Sequence, residues 1–516
     1  MRRSLLWCGV ALLVVVPARA QEAPAPKVVL DVWEAAYLEG AKTGYCHTTV
    51  QEIDHDGRKA YHTTQLMSLT IKRYQRVVTL RLEQGATELP GGRILALSTT
   101  QYLDNGQKLK LTGRVEGDRL IVTSPSDPDG KALPWDGKAL GLYQQKLVLA
   151  QRKVKPGDKF RFQDYPLSLL SNVRMTLDVP KREDQDVLAL RKADGGTRVE
   201  RVKKSLLRVE VTPDKVKAGG REIQLPKLVL WLDDKYEALR SESDLPGVGR
   251  LTLYRTSREV AEKEGVAPAL LPDLALTTLI ALKKPIEGAH EAKEIVYRVT
   301  VKGDLDPTTA FARDARQQVR NVQGKSFELV VRPVREPAAV ERPAPAGKEF
   351  LESSYFLDSD NPRVKALAER LAGGEAGPLR KARKLERWLS LNMKPNAGIG
   401  FAAASQVCRD LEGDCRQHAM LLAALCRAVG VPARTAVGVV YFNDREHGPA
   451  FGFHMWTEVY VRGQWLGLDA TLGQGGVGPA HLKITDHSWR DVQTLAPLLP
   501  VIAVLGKLQV EVVSVK

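Results

Sequence analysis

The stretch 336–347 (Glu-Pro-Ala-Ala-Val-Glu-Arg-Pro-Ala-Pro-Ala-Gly) has no core-forming periodicity and separates two unlike kinds of sequence. Upstream, from about 28 to 264, short alternating or β-branched runs such as 43–52, 76–82, 120–123 and 225–232 are separated by Gly, Asn and Asp, the pattern of antiparallel strands. Asp104-Asn105-Gly106 and Pro128-Asp129-Gly130 are turn signals of the kind that join such strands. The second lacks the ligand spacing and distal Glu of a calcium loop. Strand candidates at 294–302 and 327–334 flank a segment rich in helix formers, 308–322, which predicts a small α+β module. Downstream of 347 the period becomes helical. Asn361-Pro362 opens a helix with Val364, Leu367 and Leu371 on one face and Gly373-Gly374 at its end, and a second helix covers 378–392. In that second helix Leu385, Trp388 and Leu389 face inward, and Arg380, Lys381, Arg383, Lys384 and Arg387 form a solvated basic face.

The ends carry processing information. Arg2 and Arg3 precede an apolar run, 5–16, and Ala18-Arg19-Ala20 is a cleavage signal, so residues 1–20 read as a signal peptide cut after Ala20 and the protein as periplasmic or secreted. The only later apolar run, 495–506, is short and holds Pro497 and Pro500, so no transmembrane span is expected. The expected units are 1–20, a β-rich domain 27–265, the module 286–335, the linker 336–348, a core 349–495 and a closing strand within 496–516. The formal charge of +15 falls to +12 after cleavage, because three arginines and no acids leave. No groove-reading motif or aromatic-basic interleaving accompanies it, which excludes nucleic acid and leaves a weak contact with an anionic envelope surface. Five cysteines in 516 residues exclude a disulfide scaffold.

The chemistry concentrates in 411–471. Asp414 and Gln417 form a capping box, the apolar stripe runs through Ala419, Leu422, Leu425, Cys426 and Val429, and Gly430 then Pro432 stop the helix. Cys415 therefore takes the first helical position, where the positive helix end and unpaired N–H groups favour the thiolate. Cys426 lies deeper on the same face as a core thiol. A thiolate nucleophile needs a proton shuttle and an orienting group. His454 lies in a strand candidate ending at Val461, Arg462-Gly463 is a tight turn, and the partner strand starts at Gln464 and leads to Asp469. Pairing Val461 with Gln464 makes His454 and Asp469 diagonal neighbours on one face; a register shifted by one residue would separate them.

Gly413-Asp414-Cys415, Gly430-Val431-Pro432-Ala433-Arg434, His454 to Tyr460 and Asp469-Ala470-Thr471 together resemble the transglutaminase-like superfamily of papain-like cysteine enzymes, over about 349–490. The chain departs from that pattern in having Gly478-Pro479-Ala480-His481-Leu482 where bacterial members carry Asp-Ala-Thr-His-Ile. The expected fold is α+β multidomain: a β-rich N-terminal region read from the strand pattern, then, as the resemblance implies, a papain-like core whose Cys-bearing helix packs on an antiparallel sheet. It implies Cys415 as nucleophile, His454 as general acid/base and Asp469 as orienting carboxylate, in a protease, amidase or transglutaminase acting on peptide or protein through a thioester. The oxyanion donors would be the Cys415 N–H with Gln406 or an indole N–H as second, and Trp456 and Glu458 would pack behind the site. His418 is expected on the helix surface, His447 in a loop, and Arg434 in a structural role. No cofactor is expected, and no paired Cys or His spacing supports a metal. Cys415 is expected to be unpaired. The competing reading is a catalytically silent scaffold whose β-rich region binds an envelope or extracellular partner.

Overall fold

A computed structural model describes residues 26–516, apart from 74, 104–105, 107, 125–126, 194–195, 219–220, 264, 268–269, 304, 339–343, 399 and 491–495; the signal-peptide expectation lies outside the described residues, as do Asp104 and Asn105 of the first turn signal. Strands make up 49% and helices 17%, so the chain is β-rich rather than evenly mixed. No helix among the described residues is long and apolar enough to cross a membrane.

The N-terminal region is a 15-stranded antiparallel sheet. Its first strand, Lys27–Leu38, lies in the middle, where it pairs with Ala41–His55 on one side and Gly249–Thr256 on the other. Consecutive hairpins run from it to Asp127–Pro134 at one edge, whereas the other side reaches Lys159–Asp164 through neighbours that are not all consecutive in sequence. The short alternating runs predict antiparallel strands here, and the region is β-rich. One local expectation fails and one helix goes unread. Pro128-Asp129-Gly130 lies within the strand Asp127–Pro134, not at a turn. Gly130 sits there at φ +76, where a Cβ would come within 2.7 Å of the Val122 carbonyl oxygen; the glycine permits close approach at a bulge. A helix, Leu142–Gln151, was not foreseen. Gly141 caps it without a side chain, and the carboxylate of Glu88, far away in sequence, accepts from the Tyr143 and Gln144 N–H groups instead.

A second, four-stranded sheet has the order Gln317–Gln323, Ser326–Val331, Ile295–Val301, Leu508–Val515, so the end of the chain completes it. The helix-former segment 308–322 is a correction: it forms a 3-10 turn, Pro307–Thr309, and the strand Gln317–Gln323. Tertiary bonds override propensity here. The buried Gln317 amide donates to the carbonyls of Ala312 and Lys483 and accepts from the Lys483 N–H, a set that a solvated helix would forfeit.

The C-terminal sheet has the order Ile280–Ala281, Gly448–Val461, Ala433–Asp444, His481–His487, with Gln464–Leu468 paired to Gly448–Val461. The helix Cys415–Ala428 packs against Gly448–Val461 and Ala433–Asp444 and is flanked by Pro362–Ala372, Pro378–Asn392 and Ala404–Asp410. Every side chain from Gln417 to Arg427 is buried. Helix and sheet share one apolar core with the middle strands, through residues such as Leu425, Val437, Met455, Tyr297 and Phe327.

Candidate active site

Cys415 begins its helix as expected. Asp414 accepts from the Arg416 N–H, and the Gln417 side chain accepts from the Asp414 N–H at 3.0 Å, which completes the capping box. Gly413 is required by space, since a Cβ there would fall 2.3 Å from that of Gln417. Cys415 is 7% exposed and unpaired. Cys46, Cys408 and Cys426 are also free, and burial pushes their thiols up.

The hairpin register is the expected one: Val461 pairs with Gln464 and Thr457 with Leu468. Asp469 follows directly, and its Oδ2 accepts from His454 Nε2 at 2.7 Å. His454 is 5% exposed and Asp469 1%. Burial works against charge on both. The Asp469 carboxylate first, then the Cys415 side chain, more than offset it on His454 and hold that ring well above the usual imidazole range. Burial is likewise overcome on Asp469, mainly by the His454 charge, so its carboxyl lies well below the usual range. The Cys415 side chain is near enough to add to the charge on His454; with Nε2 occupied by Asp469, Nδ1 is the nitrogen left for the thiol. Thr457 Oγ1 donates to the Ala419 carbonyl at 2.8 Å and ties the histidine strand to the cysteine helix.

Two residues at this site escaped the sequence reading. Buried His481 donates its Nε2–H to Asp469 Oδ2 at 3.0 Å, and burial pushes it down to about 4, so it is neutral. It occupies the segment that departs from the family pattern. Glu386, 1% exposed, accepts from the Asp469 N–H at 2.9 Å, and burial pushes it up to about 7. It sits among the basic residues of Pro378–Asn392, where only its place on the face shared with Leu385 and Leu389 could have drawn notice. The Thr471 and Leu472 N–H groups donate to Asp469 Oδ1, so both oxygens of the carboxylate are fixed.

The remaining expectations divide. Trp456 is buried, stacks at 21° to His454 and meets His481 edge-on. Glu458 is buried between Lys483 and Arg434, both at 2.8 Å, and these cations hold it at about 2 against burial. Arg434 also pairs with Asp486. Gln406 is half-buried in Ala404–Asp410, and among the described residues no hydrogen bond joins its side chain to Cys415 or His454. His418 is buried, not on the surface: its Nδ1 lies 2.8 Å from the Asp414 carbonyl oxygen, because the whole helix is enclosed. His447 is in the loop before Gly448, against Asp444. His454, Asp469 and His481 have the ligand types for a metal, and their donor atoms lie within 4.8 Å of one another. The nitrogen–oxygen separations of 2.7 and 3.0 Å are hydrogen-bond distances. Ligands on one tetrahedral zinc at 2.0–2.1 Å would sit roughly 3.3 Å apart.

The transglutaminase-like superfamily model matches residues 365–470, which contain Cys415, His454 and Asp469. An uncharacterized protein of Haemophilus influenzae is 29% identical over 97 residues, 18% of this chain; the match spans about a quarter of that relative, 26% of its length. Among solved structures, a protein of Cytophaga hutchinsonii provisionally called a cysteine protease is 18% identical with a TM-score of 0.28, covering 42% of this chain and 83% of that one. The periplasmic domain of TgpA from Pseudomonas aeruginosa is 17% identical with a TM-score of 0.22, covering 36% and 89%. Both scores are too low to carry a structural inference. Residues 365–470 of this chain are a transglutaminase-like segment.

Proposed function

We propose that the protein is an exported cysteine-dependent acyl-transfer enzyme with a papain-like core, acting on amide bonds of peptide or protein substrates in the periplasm or outside the cell. The observation that carries this reading is the buried His454–Asp469 pair at 2.7 Å beside a cysteine at a helix N-terminus. The Cys415 thiolate attacks the amide carbonyl carbon and a C–S bond forms. The C–N bond breaks as His454, held as imidazolium by Asp469, gives its proton to the leaving amine or ammonia. In hydrolysis, water then attacks the thioester with His454 as base, a C–O bond forms, the C–S bond breaks and the thiolate is restored; a primary amine in place of water gives transamidation. The Cys415 backbone N–H, which the Asp414 cap leaves unused, would donate to the oxyanion.

The test uses mixed peptides incubated with the mature chain, with and without a labelled alkylamine, and read by mass spectrometry. New peptide ends or Gln-to-Glu conversion identify hydrolysis, and amine incorporation identifies transamidation. Cys415→Ala, His454→Ala and Asp469→Asn should each remove or cripple the change. Products that persist in Cys415→Ala would overturn the reading.

A further inference from the structure

The N-terminal sheet reaches the proposed active site through one hairpin, formed by Arg58–Arg73 and Arg76–Glu88. Arg73 Nη1 donates to Asp414 Oδ2 at 2.7 Å, across 341 positions of sequence, and both side chains are mostly buried. Asp414 is the cap of the helix that Cys415 begins. Arg76 lies against Gly398, where a Cβ would stand 3.2 Å from its Cδ, and neighbouring Asn396 donates its N–H to the Gly413 carbonyl. The same hairpin is anchored on the histidine side. The Lys72 N–H donates to the Pro272 carbonyl, and the Gln75 N–H to Asp273 Oδ2 at 2.7 Å. Asp273 caps Leu274–Thr277, which leads into Ile280–Ala281, and that strand pairs with Ala450–Phe451 just before His454. Lys72, Arg73, Gln75 and Arg76 thus connect the start of the cysteine helix to the segment beside the histidine strand. A second contact keeps the sheet seated: Leu103 and Leu109 belong to the apolar core of the C-terminal region, and Tyr355 Oη donates to the Lys108 carbonyl.

We propose that this hairpin is a fixed wall of the substrate cleft, held by Arg73 on Asp414, and that it restricts the enzyme to extended peptide segments, excluding amides on the surface of a folded protein. The inference rests on Cys415 being the nucleophile. A thiol that is 7% exposed, at the start of a helix whose cap the hairpin holds, admits a narrow chain but not a globular surface. Because Arg416 also holds the Asp414 carboxylate, through Nε at 3.0 Å, the helix cap survives loss of Arg73.

The experiment compares iodoacetamide with an iodoacetyl group carried on a surface lysine of a small folded protein that lacks cysteine, using the full mature chain, mapping adducts at Cys415 in wild type, Arg73→Lys and Arg73→Glu and taking the ratio of the second rate to the first. The reactive group is the same in both reagents, so the ratio of rates reads only the space around the thiol. The ratio should be low in wild type and Arg73→Lys and rise about tenfold in Arg73→Glu, where attraction becomes repulsion. An unchanged ratio in a folded Arg73→Glu chain, checked by circular dichroism, would overturn the proposal. So would an equal fall of both rates, which would give Arg73 a supporting role in the helix start. The nucleophile reading fails separately, if iodoacetamide labels Cys415 no faster than Cys46 in wild type.

Discussion

Replacing Glu386 by Gln tests whether the carboxyl behind Asp469 is carried at a cost. Its side chain is 1% exposed and accepts the Asp469 N–H, and burial raises it to about 7, with the ionised Asp469 adding to the effect. In the unfolded chain a glutamate titrates near about 4.3. Between those values the folded state holds a proton that the unfolded state has released, so stability falls as pH rises from about 4.3 to about 7 and is level above that. At about 1.4 kcal/mol per pH unit the loss above pH 7 comes to roughly 3 to 4 kcal/mol. Glutamine keeps the acceptor for the Asp469 N–H and never ionises. Scanning calorimetry of the two chains should therefore give similar melting midpoints at about pH 4. At about pH 8 the Glu386→Gln midpoint should be higher by several degrees, since each kcal/mol moves a domain of this size by about 2–4 °C. Parallel pH curves, or a variant less stable than wild type at about pH 8, would refute the reasoning.

Other substitutions probe neighbouring contacts. His481→Ala should lower kcat while leaving KM unchanged, and His481→Gln, which can still donate to Asp469, should restore part of the loss; equal effects of the two would exclude the hydrogen bond as the cause. Lys483→Met leaves Glu458 buried with Arg434 as its remaining partner from that pair and should cost about 3–5 kcal/mol in urea unfolding. Thr457→Val removes the bond to Ala419 and should cost about 1–2 kcal/mol, with slower reaction at Cys415 if the helix shifts. Glu88→Ala strips the cap from Leu142–Gln151 and should lower stability by about 1–2 kcal/mol without changing reactivity at Cys415.

What could be read in advance had local causes. The capping box, Pro362 and Gly373 fix helix ends within a turn or so of sequence, and the two-residue turn at Arg462-Gly463 sets a register that carries His454 to Asp469. What could not be read depends on contacts far apart in the chain. Glu88 caps a helix that has no side-chain cap of its own, Gln317 trades helical preference for bonds to the Lys483 backbone, and His418 is enclosed by elements that its own periodicity does not reveal. The same holds at the site. Cys415, His454 and Asp469 lie in motifs, whereas His481, Glu386 and Arg73 become neighbours of those motifs only when three separate segments pack together.

The central claim is that Cys415 is a thiolate nucleophile paired with His454, and the most direct measurement is competitive alkylation at about pH 6, below the range where an ordinary cysteine ionises. Adducts of iodoacetamide on the native chain are mapped over time at Cys415 and Cys46, in wild type and His454→Ala. The account predicts that Cys415 reacts far faster than Cys46 in wild type and slows sharply once His454 is removed. Equal rates at the two cysteines, or a Cys415 rate indifferent to His454, would contradict it.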